Sequence, residues 1–345
     1  MSLKVVDINE GEEWDKIVHS FFEHDVYWLS GYVKAFQIHG DGIPILFYYE
    51  DELVRGINVS MKRDISLDKN FNGKIKRGEM FDLTSPYGYG GWIIEGENSS
   101  HLFEVYEKWC VENNIVSEFI RFHPVLQNYK MCLSEYDVIA LGNTVTLDLE
   151  SPEIIWSNIT SKNRNVIRKA KKNGVHIYNG RFPYIYKEFK DIYDETMNRD
   201  RAKDYYFFEE NFYNSIMNDL PYNSQVFYAE YEGEVIAASI MLFENGRINY
   251  HLSGSKRKYS SLAATNLLLY ETALWGNANG YKTLYLGGGV GSGEDSLYKF
   301  KKSFYRKDDL YKFYIGKKIF SQEKYNELLE MRSEVDSGFF PQYRA

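Results

Sequence analysis

The residues that could do chemistry gather in four short stretches. In the first, LYLGGGVGSGEDSLYKFKKSF (284–304), a glycine-rich run precedes three lysines. Such a run suggests a phosphate cradle, but its spacing rejects one. In the dinucleotide fingerprint G-x-G-x-x-G begun at Gly287 the third glycine falls on Ser292. In the P-loop pattern Glu294 takes the place of the lysine, where its charge would repel phosphate. The glycines suit a tight, positive-φ exit from a strand, and Asp295 or Ser296 suits the cap of a following helix. On that helix Leu297, Phe300 and Phe304 recur at i, i+3 and i+7. Lys301 then lies about 65° from the centre of the stripe, while Lys299 and Lys302 lie well round the far side. Lys301 is therefore aimed near the domain interior, either as a lysine snorkelling at a core edge or as a cation held for chemistry.

The second stretch, SKNRNVIRKAKK (161–172), is basic throughout and holds no acid. At helical spacing Arg164, Arg168 and Lys171 share one face, with Ile167 and Ala170 on the other. It reads equally as a phosphate-binding helix, for a nucleotide-linked substrate or RNA, and as a solvated amphipathic helix. The third, Arg201-Ala-Lys-Asp-Tyr205, is a polar loop between two expected helices, a place that often carries function. The fourth, GSKRKYSSLA (254–263), is a basic loop ahead of a helix N-terminus, which suits an anion. Acetyltransferases of the GNAT type hold Q/R-x-x-G-x-G/A here, to grip the pyrophosphate of coenzyme A. This chain keeps Arg257 but has Ser260 and Leu262 at the two small positions.

The remaining composition narrows the class. A chain of 345 residues fits two domains or one large one. The net charge of −8 speaks against DNA as a general partner. Cys110 and Cys132 lack metal-ligand spacing and read as buried thiols in a reducing compartment. The 7 histidines form no H-x-H or H-x-x-x-H pair, so no metal site is expected. No run suits a membrane span, and the N-terminal MSLKVVDINEGEEW carries no export signal, so the expected location is the cytoplasm. The 30 tyrosines read mostly as a compositional bias shared with Asn, Ile and Lys.

The elements that must position these residues read as α/β (α+β) with antiparallel character. Strands are expected over 43–49 and 53–60, a helix over 99–114, and strands over 119–122, 137–141 and 144–149. Strands over 225–231, 235–243 and 247–252, a helix over 261–277, a strand over 283–287, a short helix and a strand over 310–315 repeat that order. The repetition suggests a structural duplication, with domains over 1–142 and 143–345.

Five motifs then converge: LTSPYGYGG (83–91), SEFIRFHP (117–124), SKNRNVIRKAKKNGV (161–175), YHLSGS (250–255) and YLGGGVGSGEDSLYKFKKSF (285–304). Together they resemble the FemABX family, peptidyltransferase-like enzymes built of two GNAT-like domains in tandem, with mixed sheets flanked by helices. The resemblance implies transfer of an aminoacyl group from aminoacyl-tRNA to an amine of a peptidoglycan precursor in cell-wall biosynthesis, without a resident cofactor. The acceptor would be nucleotide-linked or lipid-linked, the latter compatible with peripheral membrane association. It implies that Lys34 binds acceptor phosphates, that Arg201 and Tyr205 grip the acceptor, and that Tyr250 lies at the reaction centre. Lys301, in FKKSF, would stabilise the transition state. Arg257, Arg164 and Arg168 are candidates for the donor's phosphates. The family's glycine after the last Phe is Tyr305 here, a departure at the donor end. Two alternatives stay open: a coenzyme A-dependent N-acetyltransferase of an envelope polysaccharide or small amine, and a GNAT-like protein that binds without catalysis. Aminolysis needs an oxyanion stabiliser, for which a packed cation serves. No Cys-His or Ser-His pair stands out, so direct attack is expected, with Asp82 or a tyrosine to take the proton.

Overall fold

The structure is a computed structural model that describes residues 2–333, 335–336 and 338–345. The chain divides into two compact units, residues 1–141 with 313–345, and residues 142–312.

The first unit opens with β1 (Ser2–Asp7), α1 (Gly11–Ser20) and α2 (Ser30–His39). The hairpin β2 (Ile43–Glu50) and β3 (Val54–Asp64) follows, then β4 (Phe81–Thr84), β5 (Ile93–Gly96), α3 (Ser100–Glu112) and β6 (Ile115–Arg121). Strands β1, β2, β3 and β4 pair antiparallel in that order, β4 pairs β6 parallel, and β5 pairs β3. Leu102, Phe103 and Tyr106 of α3 pack with Phe47, Trp92 and Ile120, and Val105 and Trp109 are partly buried against the same cluster. Two indole donors fasten the helical start: Trp14 to the Trp28 carbonyl at 2.8 Å, and Trp28 to the Gly91 carbonyl at 3.1 Å.

Strand β7 (Asp137–Asp148) leads into the second unit. There follow α4 (Pro152–Asn158), α5 (Ser161–Lys172), β8 (His176–Gly180), α6 (Pro183–Arg199) and α7 (Glu210–Asp219). Then come β9 (Ser224–Tyr231), β10 (Glu234–Glu244), β11 (Arg247–Ser255), α8 (Ala264–Ala278), β12 (Thr283–Gly287) and α9 (Ser296–Lys302). Strands β8 to β11 are an antiparallel meander, β12 adds parallel to β11, and the end of β7 closes the sheet antiparallel to β12. Helix α8 lies on β9–β12 with α4 and α5 against it, while α6 covers β10 and β11 from the other face with α7 beside it. The mixed α/β class read from sequence therefore holds. The two strands expected over 137–141 and 144–149 are one continuous strand, β7.

Residues 313–345, assigned above to the second domain, belong with the first unit. Here β13 (Tyr311–Ile319) pairs β6 antiparallel, and α10 (Gln322–Glu330) follows. The fastening is ionic. Asp82, on β4, is fully buried; it accepts from Arg63 Nε at 2.7 Å, Tyr343 hydroxyl at 3.0 Å and Arg344 Nε at 2.5 Å. Burial pushes its carboxyl up, but the guanidinium groups of Arg63 and Arg344 outweigh that and hold it below the usual carboxylate range. Asp82 is thus a structural anchor and not the proton acceptor considered above. A buried pair that loses one partner leaves an uncompensated charge. Arg344→Ala is therefore expected to cost about 3 kcal/mol, read as a lowered urea midpoint at neutral pH. A loss below about 1 kcal/mol, the worth of an exposed pair, would refute the anchor.

Candidate functional site

Two parallel strands come apart in the second unit, and the candidate site forms where they do. β11 and β12 are paired over Arg247–Thr283, Ile248–Leu284 and Asn249–Tyr285, and not beyond. Both change register with their other neighbour at this point. β11 slips against β10 between Tyr250 and Leu252, and β12 slips against β7 between Tyr285 and Gly287. Bulges of this kind bend a strand and re-aim its side chains. Here they put Tyr250 on one branch of the fork and Gly287 on the other. Gly287 has φ +78°, in the left-handed region, and so turns the chain sharply out of the sheet.

Lys301 reaches this fork from α9. Its Nζ donates to the Gly288 carbonyl at 2.7 Å and lies 5.9 Å from the centre of the Tyr250 ring. A Cβ on Gly287 would stand 3.5 Å from that Nζ and 3.9 Å from the Tyr285 hydroxyl, so the glycine also keeps the space beside the amine clear. Lys301 is 9% exposed. Burial pulls its amine down to about 8, and the nearby charge of Asp295 opposes the fall. At neutral pH the group is still mostly a cation, but one stripped of most of its water.

The helical stripe is partly the one the spacing suggested. Phe304 is fully buried and Phe300 half-buried, but Leu297 is exposed, and Tyr298, Lys301 and Tyr305 are buried beside Phe304. Lys301 faces the interior, as its angle to the stripe implied.

Tyr250 is half-buried and its hydroxyl is pushed up by burial, with hydrogen bonds to Ser253 and Ser239 working the other way. Ser239 donates to Ser253 across the hairpin at 2.8 Å. Next to it, burial drives the His251 imidazole down to about 3, so it is neutral. Ser239, Ser253 and the Gly288 carbonyl escaped the sequence reading, since hydroxyls fourteen residues apart become neighbours only once the β10–β11 register and its bulge are known.

Arg201 and Tyr205 lie on the exposed segment after α6, and Arg201 itself adopts φ 52°. A non-glycine residue in that region is uncommon and often functional. The last turn of α6 is tied to the end of β11: Arg199 Nη1 donates to the Ser255 carbonyl at 2.8 Å, and Thr196 Oγ1 accepts from Ser255 N at 2.9 Å. Arg257 N donates to Glu195 Oε1 at 3.1 Å. The segments bearing Arg201 and Arg257 are thereby held side by side. The Arg257 loop is a tight 3-10 turn (Arg257–Leu262) in which the amides of Tyr259 and Ala263 are spent on Lys256 and Ser260 carbonyls. It is not an open nest of amides.

Arg164 and Arg168 lie over the Trp156 ring, at 5.9 and 4.9 Å from its centre, and Ile167 and Ala170 are buried behind them. Asn163 at the start of α5 accepts from Asn266 Nδ2 at 2.8 Å, joining that helix to the start of α8. Within the second unit the structure thus joins the helix bearing Arg164 and Arg168 to α8, and the Arg257 turn to the Arg201 segment, while Tyr250 and Lys301 meet at the fork. Lys34 stands on the exposed face of α2, in the first unit.

A buried ammonium carries a measurable sign in stability. Between about pH 8 and 10.5 the unfolded lysine holds a proton that the folded one has lost, so wild-type stability rises with pH across that window. Lys301→Met removes the desolvated charge. It is expected to stabilise the protein by on the order of 2 kcal/mol at pH 7, with the advantage shrinking towards pH 10. Denaturation at the two pH values reads this; an advantage equal at both would contradict the burial of a charged amine.

Residues 161–302 match the family model of the acetyltransferase (GNAT) domain. No curated protein matches the sequence. Among solved structures the chain is similar to FemX, at 12% identity and a TM-score of 0.67, covering 96% of this chain and 100% of that one. It is also similar to the C-terminal domain of a putative lysylphosphatidylglycerol synthetase from Agrobacterium fabrum, at 12% identity and a TM-score of 0.56, covering 94% and 95%. L-PGS from Bacillus licheniformis follows at 15% identity and a TM-score of 0.55, covering 95% and 96%. The chain therefore has a FemX-like fold, and its residues 161–302 are similar to the acetyltransferase (GNAT) domain.

Proposed function

We propose that the protein transfers an aminoacyl group from aminoacyl-tRNA to an amine of a cell-envelope precursor. The observation that carries the reading is the desolvated Lys301 cation at the fork of β11 and β12. The amine nitrogen of the acceptor attacks the ester carbonyl, and the carbonyl oxygen takes up the negative charge. Lys301 neutralises that oxyanion in surroundings where water screens little, which is where such a contact is worth most. Collapse of the intermediate breaks the C–O bond and returns the hydroxyl of the tRNA terminus. Tyr250, hydrogen-bonded to Ser239 and Ser253, faces the same space and orients the carbonyl or carries the proton away. Arg201 and Tyr205 hold the acceptor, Lys34 its phosphates, and Arg164, Arg168 and Arg257 those of the donor. The precursor is nucleotide-linked or lipid-linked, and the reaction belongs to the cytoplasm, where charged tRNA is found. No helix among the described residues is long and apolar enough to cross a membrane, and a lipid-linked acceptor would be met from the membrane surface.

The GNAT match favours a second reading, an acyl group carried by coenzyme A to an amine of a polysaccharide or a small molecule. The Arg257 turn speaks against it. Its amides are engaged, and the Glu195 carboxylate beneath it would repel a pyrophosphate. Binding without catalysis is disfavoured by Lys301, since a fold with no use for a desolvated cation gains by losing it.

Two measurements decide. Charged tRNA should raise the melting temperature of the protein in the presence of a muropeptide precursor, and coenzyme A should not; stabilisation by coenzyme A alone would select the second reading. Lys301→Ala should lower kcat about 10²–10³-fold with acceptor affinity nearly intact. Its deficit should narrow above about pH 8 as the wild-type amine loses its proton. Unchanged turnover would remove Lys301 from the reaction.

A further inference from the structure

We propose that Asp295 is the positioning residue of Lys301: its carboxylate latches the glycine loop 288–293 onto the helix that carries the lysine, and so sets both the aim of the amine and the carbonyl that holds it. This rests on the reading of Lys301 as the group that meets the oxyanion.

The geometry is a closed circuit. Asp295 Oδ1 accepts from Tyr298 N at 2.8 Å, which caps α9, and Oδ2 accepts from Val290 N at 3.1 Å, which belongs to the glycine loop. The loop supplies the Gly288 carbonyl, and that carbonyl accepts from Lys301 Nζ at 2.7 Å. One carboxylate therefore sets both the helix that aims the lysine and the loop atom that holds its amine. Gly289 makes the closure possible, because a Cβ there would run into Asp295 Oδ1 and the Gly293 carbonyl.

Electrostatics follow the same path. The groups facing the amine are the Tyr250 ring on β11, the Gly288 carbonyl and, across Gly287, the Tyr285 hydroxyl on β12. Glu294, Lys299 and Lys302 on its own segment point to solvent or lie half-exposed. The charge that acts against the burial of Lys301 is that of Asp295. The influence is mutual: the Asp295 carboxyl is held below the usual range by the Tyr298 amide first, then by those of Val290 and Leu297 and by the Lys301 charge. A cation stripped of water at a fork would drift towards its neutral form, which cannot stabilise an oxyanion. Asp295 counters that drift while both its oxygens remain occupied by amides, so it does not close on the ammonium as a direct ion pair.

The test is a titration of the whole protein carrying ¹³C-labelled lysine and aspartate, with the Lys301 signal assigned by its loss in Lys301→Arg. In the wild type the Asp295 carboxyl carbon should shift again as Lys301 titrates near pH 8; a flat Asp295 signal there overturns the proposal without any variant. Asp295→Asn keeps one acceptor oxygen but loses the charge and the second acceptor, and should lower the Lys301 midpoint by about one pH unit. Asp295→Glu should restore most of it. An Asn variant that titrates like the wild type, or a Glu variant that titrates like Asn, overturns the assignment. The readout does not involve transfer, so it stands apart from the fate of the proposed reaction, which Lys301→Ala decides.

Discussion

An ammonium taken out of water constrains everything around it. Lys301 keeps a charge in a place where burial lowers its affinity for a proton to about 8, and the local architecture is what makes that tolerable. The amine needs an acceptor, and the turn at Gly287 brings the Gly288 carbonyl to it. It needs space, and a residue with no side chain at 287 leaves it. It sits where β11 and β12 part after Asn249 and Tyr285, so no strand pairing crosses the place it occupies. Strand bulges, helix cap and glycine loop are separate features of the sequence with one common consequence, the placing of a single cation.

Much of this was legible in the residues and some of it was not. The glycine stretch failed both phosphate-binding patterns on spacing alone, and its reading as a turn out of a strand into a capped helix matches the structure, with Asp295 as the cap. The inward aim of Lys301 also matches, although Tyr298 and not Leu297 is buried in the first turn. In a 7-residue helix there are too few turns for the apolar pattern alone to fix every position. The C-terminal segment was misassigned for a related reason. Its place with residues 1–141 depends on Asp82 meeting Tyr343 and Arg344 more than two hundred and fifty positions away, and no local periodicity records a contact at that range. The same contact explains why Asp82, an attractive acid in sequence, is chemically spent: both its oxygens are taken up by the guanidinium groups.

The basic helix α5 shows how a strong signal in composition acquires a more modest meaning in three dimensions. Six cations in twelve residues suggest a polyanion partner, yet Arg164 and Arg168 lie over Trp156, and Lys171 lies 3.4 Å from Glu271. Cations stacked on an indole cover apolar surface as well as carrying charge. Their guanidinium groups are also held in place, and a phosphate is met by a rigid arginine at a lower entropic cost than by a mobile lysine. The two readings left open in the sequence are therefore compatible: packing that looks structural would also pre-order the proposed binding face.

The choice between acyl donors then turns on how the second unit departs from a coenzyme A site. A GNAT-type pyrophosphate loop works by leaving its amides open. Here the loop has closed into a 3-10 turn, with Ala263 in the left-handed region at φ 51° and Glu195 drawn onto the Arg257 amide. Small residues at 260 and 262 would have let the backbone approach an anion, and Ser260 and Leu262 do not. Closing the loop removes one anion site from the strand-to-helix junction, while the arginines of α5 sit on a helix bonded to the start of α8 through Asn163 and Asn266. A donor anchored through side-chain cations spread over a helix face has a phosphate backbone of some length, whereas a single pyrophosphate wants one tight nest. The residues lost and the residues kept are consistent with the donor proposed above, a polymer-borne acyl group, and less so with coenzyme A.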